Sequence, residues 1–239
     1  MITFIGDVHG YIDRLDSVLH QSRGDVVFVG DLVDRGPDVR AAVQRVRELE
    51  AAGQARCLMG NHEYALVRSV GVPELDIPPC PPLFESWFLF YGGDATVASY
   101  GAIPEPASIR AAMGDDLLWL AQRPWVLQGR LDARRWIAVH AGLSPEPLAQ
   151  QLEALEHPEQ WWRADADLPM ELYCKEWVDT VPCDLPDDCC VISGHVPLEE
   201  CYITPERIVC DTSGGLHGRV LSAVVWPEEL VIVSDGLRG

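Results

Sequence analysis

Five short apolar runs in this 239-residue chain each end in a polar motif of the kind that binds metal. They read ITFI-GDVHG (Ile2 to Gly10), VVFV-GDLVDRG (Val26 to Gly36), RCLM-GNHE (Arg56 to Glu63), WIAV-HAG (Trp136 to Gly142) and CVI-SGH (Cys190 to His195). Asp7 and His9 stand two apart on one turn, Asp31 opens the second and Asn61 the third, and His140 and His195 end the last two runs. Carboxylate and amide oxygens with imidazole nitrogens, and no thiolate, suit Mn²⁺, Fe or Zn²⁺. These residues are too many for one ion that also keeps an open catalytic position, but they fit two ions sharing one carboxylate. Taken singly they say little, since an Asp after a strand is usually a turn or cap residue. Five such endings in one chain are what point to a shared site.

The elements that must position them follow from the same runs. A short apolar run bounded by Gly reads as a buried strand, and in open α/β sheets sites form outside the carboxyl ends of strands. Strands are expected at Ile2–Ile5, Val26–Val29 and Ala55–Met59, with helices from Tyr11 to about Gln21 and from Pro37 to about Ala52. This βαβαβ series predicts a parallel sheet. Asn61 should open a short helix through Leu66 and Val67. Val70 to Pro82 reads as a loop, with Pro78, Pro79, Pro81 and Pro82 opposing helix. Pieces of helix follow from Leu83 to Leu120, broken at Gly92-Gly93 and near Pro104 and Pro106. The second half is richer in strands, with mixed helix and loop from Ser144 to about Val181. The expectation is one domain over residues 1–239, its two sheet halves packed face to face, with a helical insertion around 73–123 that covers the site or forms a packed layer.

Composition bounds the partners. A formal charge of −19 leaves no general basic footprint for a nucleic-acid polymer. No run reaches membrane-spanning length, and the chain opens directly on a strand without a basic leader, which predicts a cytoplasmic location. Lys175 is the only lysine. Six of the eight cysteines lie between Cys174 and Cys210 without CxxC spacing. They read as buried hydrophobes in a reducing compartment. A bound structural metal or a disulfide among Cys174, Cys183, Cys189 and Cys190 is the alternative. Adjacent Cys189 and Cys190 should face opposite sides of a strand, one of them accessible.

GDVHG, GDLVDRG, GNHE, HAG and GH, in this order from Gly6 to His195, resemble the phosphoprotein phosphatase branch of the calcineurin-like metallophosphoesterases. The resemblance implies an α/β fold of four layers, two mixed sheets between flanking helices. It implies a dinuclear site in which Asp7 and His9 hold one ion, Asp31 bridges, and Asn61, His140 and His195 hold the other. A hydroxide bridging the ions would attack phosphorus in line. His62, beside Asn61, would protonate the leaving oxygen. Asp34 would orient it and raise its pKa. Arg35 would grip phosphate oxygens. The family also uses a second phosphate-binding arginine, often beside a tryptophan, and Arg163 in Gln160-Trp161-Trp162-Arg163 fits that pattern. Glu63 reads as a first-turn acid of its helix. The turn from Asp211 to Arg219 brings His217 and Arg219 into view, although a plain glycine-rich hairpin is the simpler reading.

Two substrates suit this scaffold. The forms GDxxDRG and GNHE favour phosphoserine or phosphothreonine in proteins. The alternative is a symmetrical bis(5'-nucleosyl)-tetraphosphatase, a group that typically carries Ala in place of Asp34 and Asp in place of Glu63. A catalytically dead scaffold is the third reading, and the complete ligand set with His62 and Asp34 argues against it.

Overall fold

Strand alternation sets the layers. The computed structural model describes residues 1–163 and 168–235. In β1 (Ile2–Ile5), Ile2 and Phe4 enter one buried cluster and Ile5 enters another, so both faces of the strand are covered. Parallel strands β2 (Asp25–Phe28) and β3 (Ala55–Cys57) extend the sheet on one side, with Phe4 opposite Val27 and Val27 opposite Arg56. The antiparallel strands β9 (Ser222–Trp226) and β10 (Leu230–Val233) extend it on the other, giving the order β10-β9-β1-β2-β3.

The second sheet runs β4-β5-β6-β8-β7. It is built from β4 (Val126–Leu131), β5 (Arg134–Val139), β6 (Cys189–Ser193), β7 (Tyr202–Ile203) and β8 (Arg207–Val209). Trp136, Ala138, Cys190 and Ile192 meet Phe4, Val27, Val224 and Trp226 in the seam between the sheets. Ile137, Val139, Cys189 and Val191 face away, toward a cluster that includes Leu155 and Leu172. Cys189 and Cys190 do point to opposite faces, but both are buried, because each face of β6 is covered. All eight cysteines are unpaired.

Helices α1 (Ile12–Gln21) and α2 (Val39–Ala51) connect the parallel strands and bury Leu15, Val18, Val43 and Val46 against the outer face of the first sheet. Helix α2 starts two residues later than Pro37, with Asp38 capping the Ala41 N–H. Helix α3 (Asn61–Val70) is buried along its whole length. The loop expected up to Pro82 ends earlier: α4 (Pro81–Phe90) begins on both prolines. A first helical turn has no N–H partners to lose, so proline is tolerated there. Helices α5 (Gly93–Ser99), α6 (Pro106–Met113) and α7 (Asp115–Ala121) complete this region, and Trp87, Val97, Ile109 and Leu120 join the same apolar cluster as α1 and α2. On the far side lies α8 (Leu148–Glu156), followed by two short 3₁₀ turns. Residues 164–167 of the mixed stretch expected between Ser144 and Val181 lie outside those described. The layers run helix, sheet, sheet, helix, as expected. No helix among the described residues is long and apolar enough to cross a membrane.

Candidate metal centre and active site

All five motif loops leave the carboxyl ends of β1, β2, β3, β5 and β6, and the two face-to-face sheets bring those ends together. Close backbone approach explains two motif glycines. A Cβ on Gly60 would lie 2.2 Å from Asp31 Oδ1, and one on Gly194 would lie 2.2 Å from Asp7 Oδ1. The loops are also strained. His9, Asp31, Asp34, Arg35 and His195 all have φ between 47° and 69°, a region that non-glycine residues rarely occupy. Strain of this kind persists only where surrounding contacts over-determine it.

Glu63 supplies much of that determination. Its Oε2 accepts from the N–H groups of Asp31 (2.7 Å) and Gly60 (3.0 Å). Its Oε1 accepts from Leu32 (2.7 Å) and Val33 (3.1 Å). The helix-cap reading was therefore incomplete: one buried carboxylate ties the second motif loop to the third. Burial pushes its pKa up to about 7, with the charge of Asp31 acting in the same direction.

Asp31 stands at the centre. Its Oδ2 lies 3.7 Å from His9 Nε2, 3.4 Å from His140 Nε2 and 3.9 Å from His62 Nε2. Burial alone would raise this carboxyl, but the imidazoles of His140, His62 and His9 outweigh it and hold it well below the usual range. Asp7 moves the other way: burial, then the nearby charges of Asp211 and Asp31, push it well up. Asp7 also accepts from the backbone N–H of His195 at 3.1 Å.

The histidines are oriented for ligation. His9 Nδ1 lies 2.8 Å from Val33 O and His140 Nδ1 lies 2.8 Å from Val29 O, so in each ring Nδ1–H donates and Nε2 keeps its lone pair. His195 reverses this, donating from Nε2 to Tyr173 O (2.9 Å) and leaving Nδ1 free. That Nδ1 and His140 Nε2 lie 3.0 Å and 2.9 Å from Asn61 Oδ1. With neutral rings three lone pairs converge there, and they repel unless a proton on His140 Nε2 or a bound cation joins them. The pKa of His140 reports the same demand. Burial lowers it, but Asp31 and Asp7 override burial and raise it to about 10. Two groups, His9-Asp31-His62 and Asp31-His140-His195, each have ligand atoms within 4.8 Å of one another and share Asp31. The donor set therefore fits two divalent ions.

Asp7, expected beside His9, is in neither group, and His62 stands in the first instead; its Nδ1–H also donates to Asp34 Oδ2 (2.8 Å). Arg35 Nη2 lies 2.9 Å from His62 Nε2, and Nη1 lies 3.1 Å from His9 Nε2. Guanidinium only donates, so both Nε2 atoms are acceptors. The raised pKa expected from Asp34 is not found: burial pushes His62 down to about 3, and the positive charges of Arg35, His140 and Lys175 add to this against the opposing charge of Asp31.

Arg163 is not part of this group. Its side chain is exposed and lines a depression with Gln150, Glu153 and His157, while its carbonyl accepts from Arg68. A different cation acts on the site's histidines through its charge, Lys175. Tyr173 O binds His195 two residues earlier, and Lys175 opposes protonation of both His62 and His195. An isolated lysine within no motif gave no signal in the sequence. His217 is exposed, and Arg219 is bonded to Pro197 O and Leu198 O. The turn before them matters instead. Asp211 Oδ1 accepts from Ser213 and Gly214 N–H, Ser213 Oγ donates to Asp7 O (2.6 Å), and Gly214 O accepts from Arg35 Nη1 (2.6 Å).

The profile of the calcineurin-like phosphoesterases matches residues 1–220. The chain belongs to that family. Family membership makes it a phosphatase, a phosphoester hydrolase working with divalent metal ions. It is similar to the asymmetrical bis(5'-nucleosyl)-tetraphosphatase PrpE of Bacillus thuringiensis (strain Al Hakam), 24% identical over 98% of this chain and 94% of that one. It is also similar to the symmetrical bis(5'-nucleosyl)-tetraphosphatase of Proteus mirabilis (strain HI4320), 24% identical over 98% and 97%. In fold it matches a protein serine/threonine phosphatase from Saccharomyces cerevisiae with a TM-score of 0.60, 13% identity, and coverage of 100% of this chain and 80% of that one.

Proposed function

We propose that this family member is a dinuclear-metal phosphoprotein phosphatase acting on phosphoserine and phosphothreonine. The observation that carries the reading is the buried hydrogen bond from His62 to Asp34. An alkoxide is a poor leaving group and needs a proton as the P–O bond breaks, whereas a nucleotide phosphate leaves readily without one. An oriented acid therefore matters most for an alkyl phosphomonoester. When bound, two divalent ions supply an activated water nucleophile and charge for the phosphoryl oxygens. Asp7 and His9 would hold the first ion, Asp31 would be shared, and Asn61, His140 and His195 would hold the second. The oxygen and imidazole donors favour Mn²⁺, with Fe or Zn²⁺ as substitutes. Arg35 grips two phosphate oxygens. Lys175 takes the place expected of Arg163. His62 Nε2 is the atom that would carry a proton to the leaving oxygen, while Asp34 fixes the ring. Eight unpaired cysteines support a cytoplasmic setting.

Dinucleoside tetraphosphate hydrolysis is the second reading, favoured by the names of the relatives, which span nearly the whole chain. Kinetics of the Mn²⁺-loaded protein on a phosphoserine peptide and on diadenosine tetraphosphate decide between them. The expected result is the higher kcat/KM on the peptide; a higher value on the dinucleotide replaces the first reading with the second.

A further inference from the structure

Asp34 is held by more than His62. Trp87 Nε1 of α4 donates to both its carboxylate oxygens, at 3.1 Å and 3.0 Å. Thr96 of α5 accepts from the Asp34 N–H (3.0 Å) through the same hydroxyl that donates to Asp34 Oδ1 (2.6 Å). Asp34, Trp87 and Thr96 are each fully buried. The Gly92-Gly93 step between the helices closes the contact. Gly92 O accepts from Arg35 N–H (3.1 Å), and a Cβ on Gly93 would lie 2.5 Å from the Trp87 ring. No other part of α4 to α7 hydrogen-bonds to a residue of the site as closely.

We infer that Trp87 and Thr96 are positioning residues of the phosphatase, setting the carboxylate that aims His62 at the leaving oxygen. The region is thus a built part of the acid. An indole N–H can only donate, and the Thr96 hydroxyl is already an acceptor, so its proton points to Asp34. Two fixed donors leave one lone-pair direction of Oδ2 for His62 Nδ1–H. Losing either donor lets the carboxylate rotate, and the ring turns with it. A small misplacement of an acid costs rate on substrates that need the proton and little on those that do not.

This inference rests on His62 acting as the acid, so the test includes His62→Asn. Thr96→Val keeps shape and removes the hydroxyl; Thr96→Ser restores it; Trp87→Phe removes the indole donor. Each Mn²⁺-loaded variant is assayed on a phosphoserine peptide and on p-nitrophenyl phosphate, whose leaving group needs little protonation. The expected loss for Thr96→Val and Trp87→Phe is roughly 10- to 100-fold in kcat on the peptide and under about threefold on the aryl ester, with Thr96→Ser near the parent protein. The His62 ring N–H resonance, followed by ¹⁵N-resolved NMR, should shift in Thr96→Val and return in Thr96→Ser. Equal losses on both substrates, or none on the peptide, overturn the positioning role when His62→Asn does discriminate between the substrates. If His62→Asn itself does not discriminate, the acid reading falls and the positioning role with it.

Discussion

The two sheets meet at one site but equip it differently. The first sheet's loops, after β1, β2 and β3, carry Asp7, His9, Asp31, Asp34, Arg35, Asn61 and His62. These loops are cross-tied through backbone groups: Glu63 binds four N–H groups, and Asp31 O accepts from Val8 and His9. The second sheet adds two imidazoles, His140 and His195, each oriented by a single carbonyl. Its neighbouring loop adds the exposed Lys175. The first sheet's loops thus form one cross-tied unit. The second supplies separable contacts that complete it.

Changes on the first side should accordingly be severe and those on the second graded. The largest expected effect is from His62→Asn, which should lower kcat on a phosphoserine peptide by roughly 10²–10⁴-fold while metal content, measured on the purified protein, stays at the parent level. Next is Glu63→Gln. An amide accepts through one oxygen only, so two of the four N–H groups lose their acceptor, and urea unfolding should show a loss of roughly 2–4 kcal/mol. On the second side, Lys175→Ala should raise KM about three- to tenfold, the size of one partly screened contact, with Arg163→Ala unchanged. A reversed result would return the second cation to Arg163. The smallest effect is a proton count. His140 is raised to about 10, so at pH 8 it carries a proton that its Nε2 must lose to ligate. Calorimetric titration with Mn²⁺ in buffers of different ionisation enthalpy should show proton release, and affinity should rise with pH until that proton is gone.

Much of this was legible before the fold. The apolar runs placed β1 to the residue, and the motif endings marked every residue now gathered around Asp31. The prolines of α4 misled because their effect depends on position: at a helix start they cost nothing. The two-residue β7 has no sequence signal, because two half-buried residues carry no period. Arg163 was chosen for a nearby tryptophan pattern, yet its tryptophans stack on Trp125 and Tyr64 within their own aromatic cluster.

What the sequence determined by itself was the chemistry: the ligand types, their order, and the glycines that let backbone approach carboxylate. Those are local properties of five short motifs. What only the tertiary structure decided was which distant groups act through them. Trp87 and Thr96 reach Asp34 across 53 and 62 residues, Glu63 reaches Leu32 across 31, and the charge of Lys175 acts on His62 from a loop with no motif. Such contacts depend on how helices pack on a sheet, and no periodicity or spacing encodes that distance.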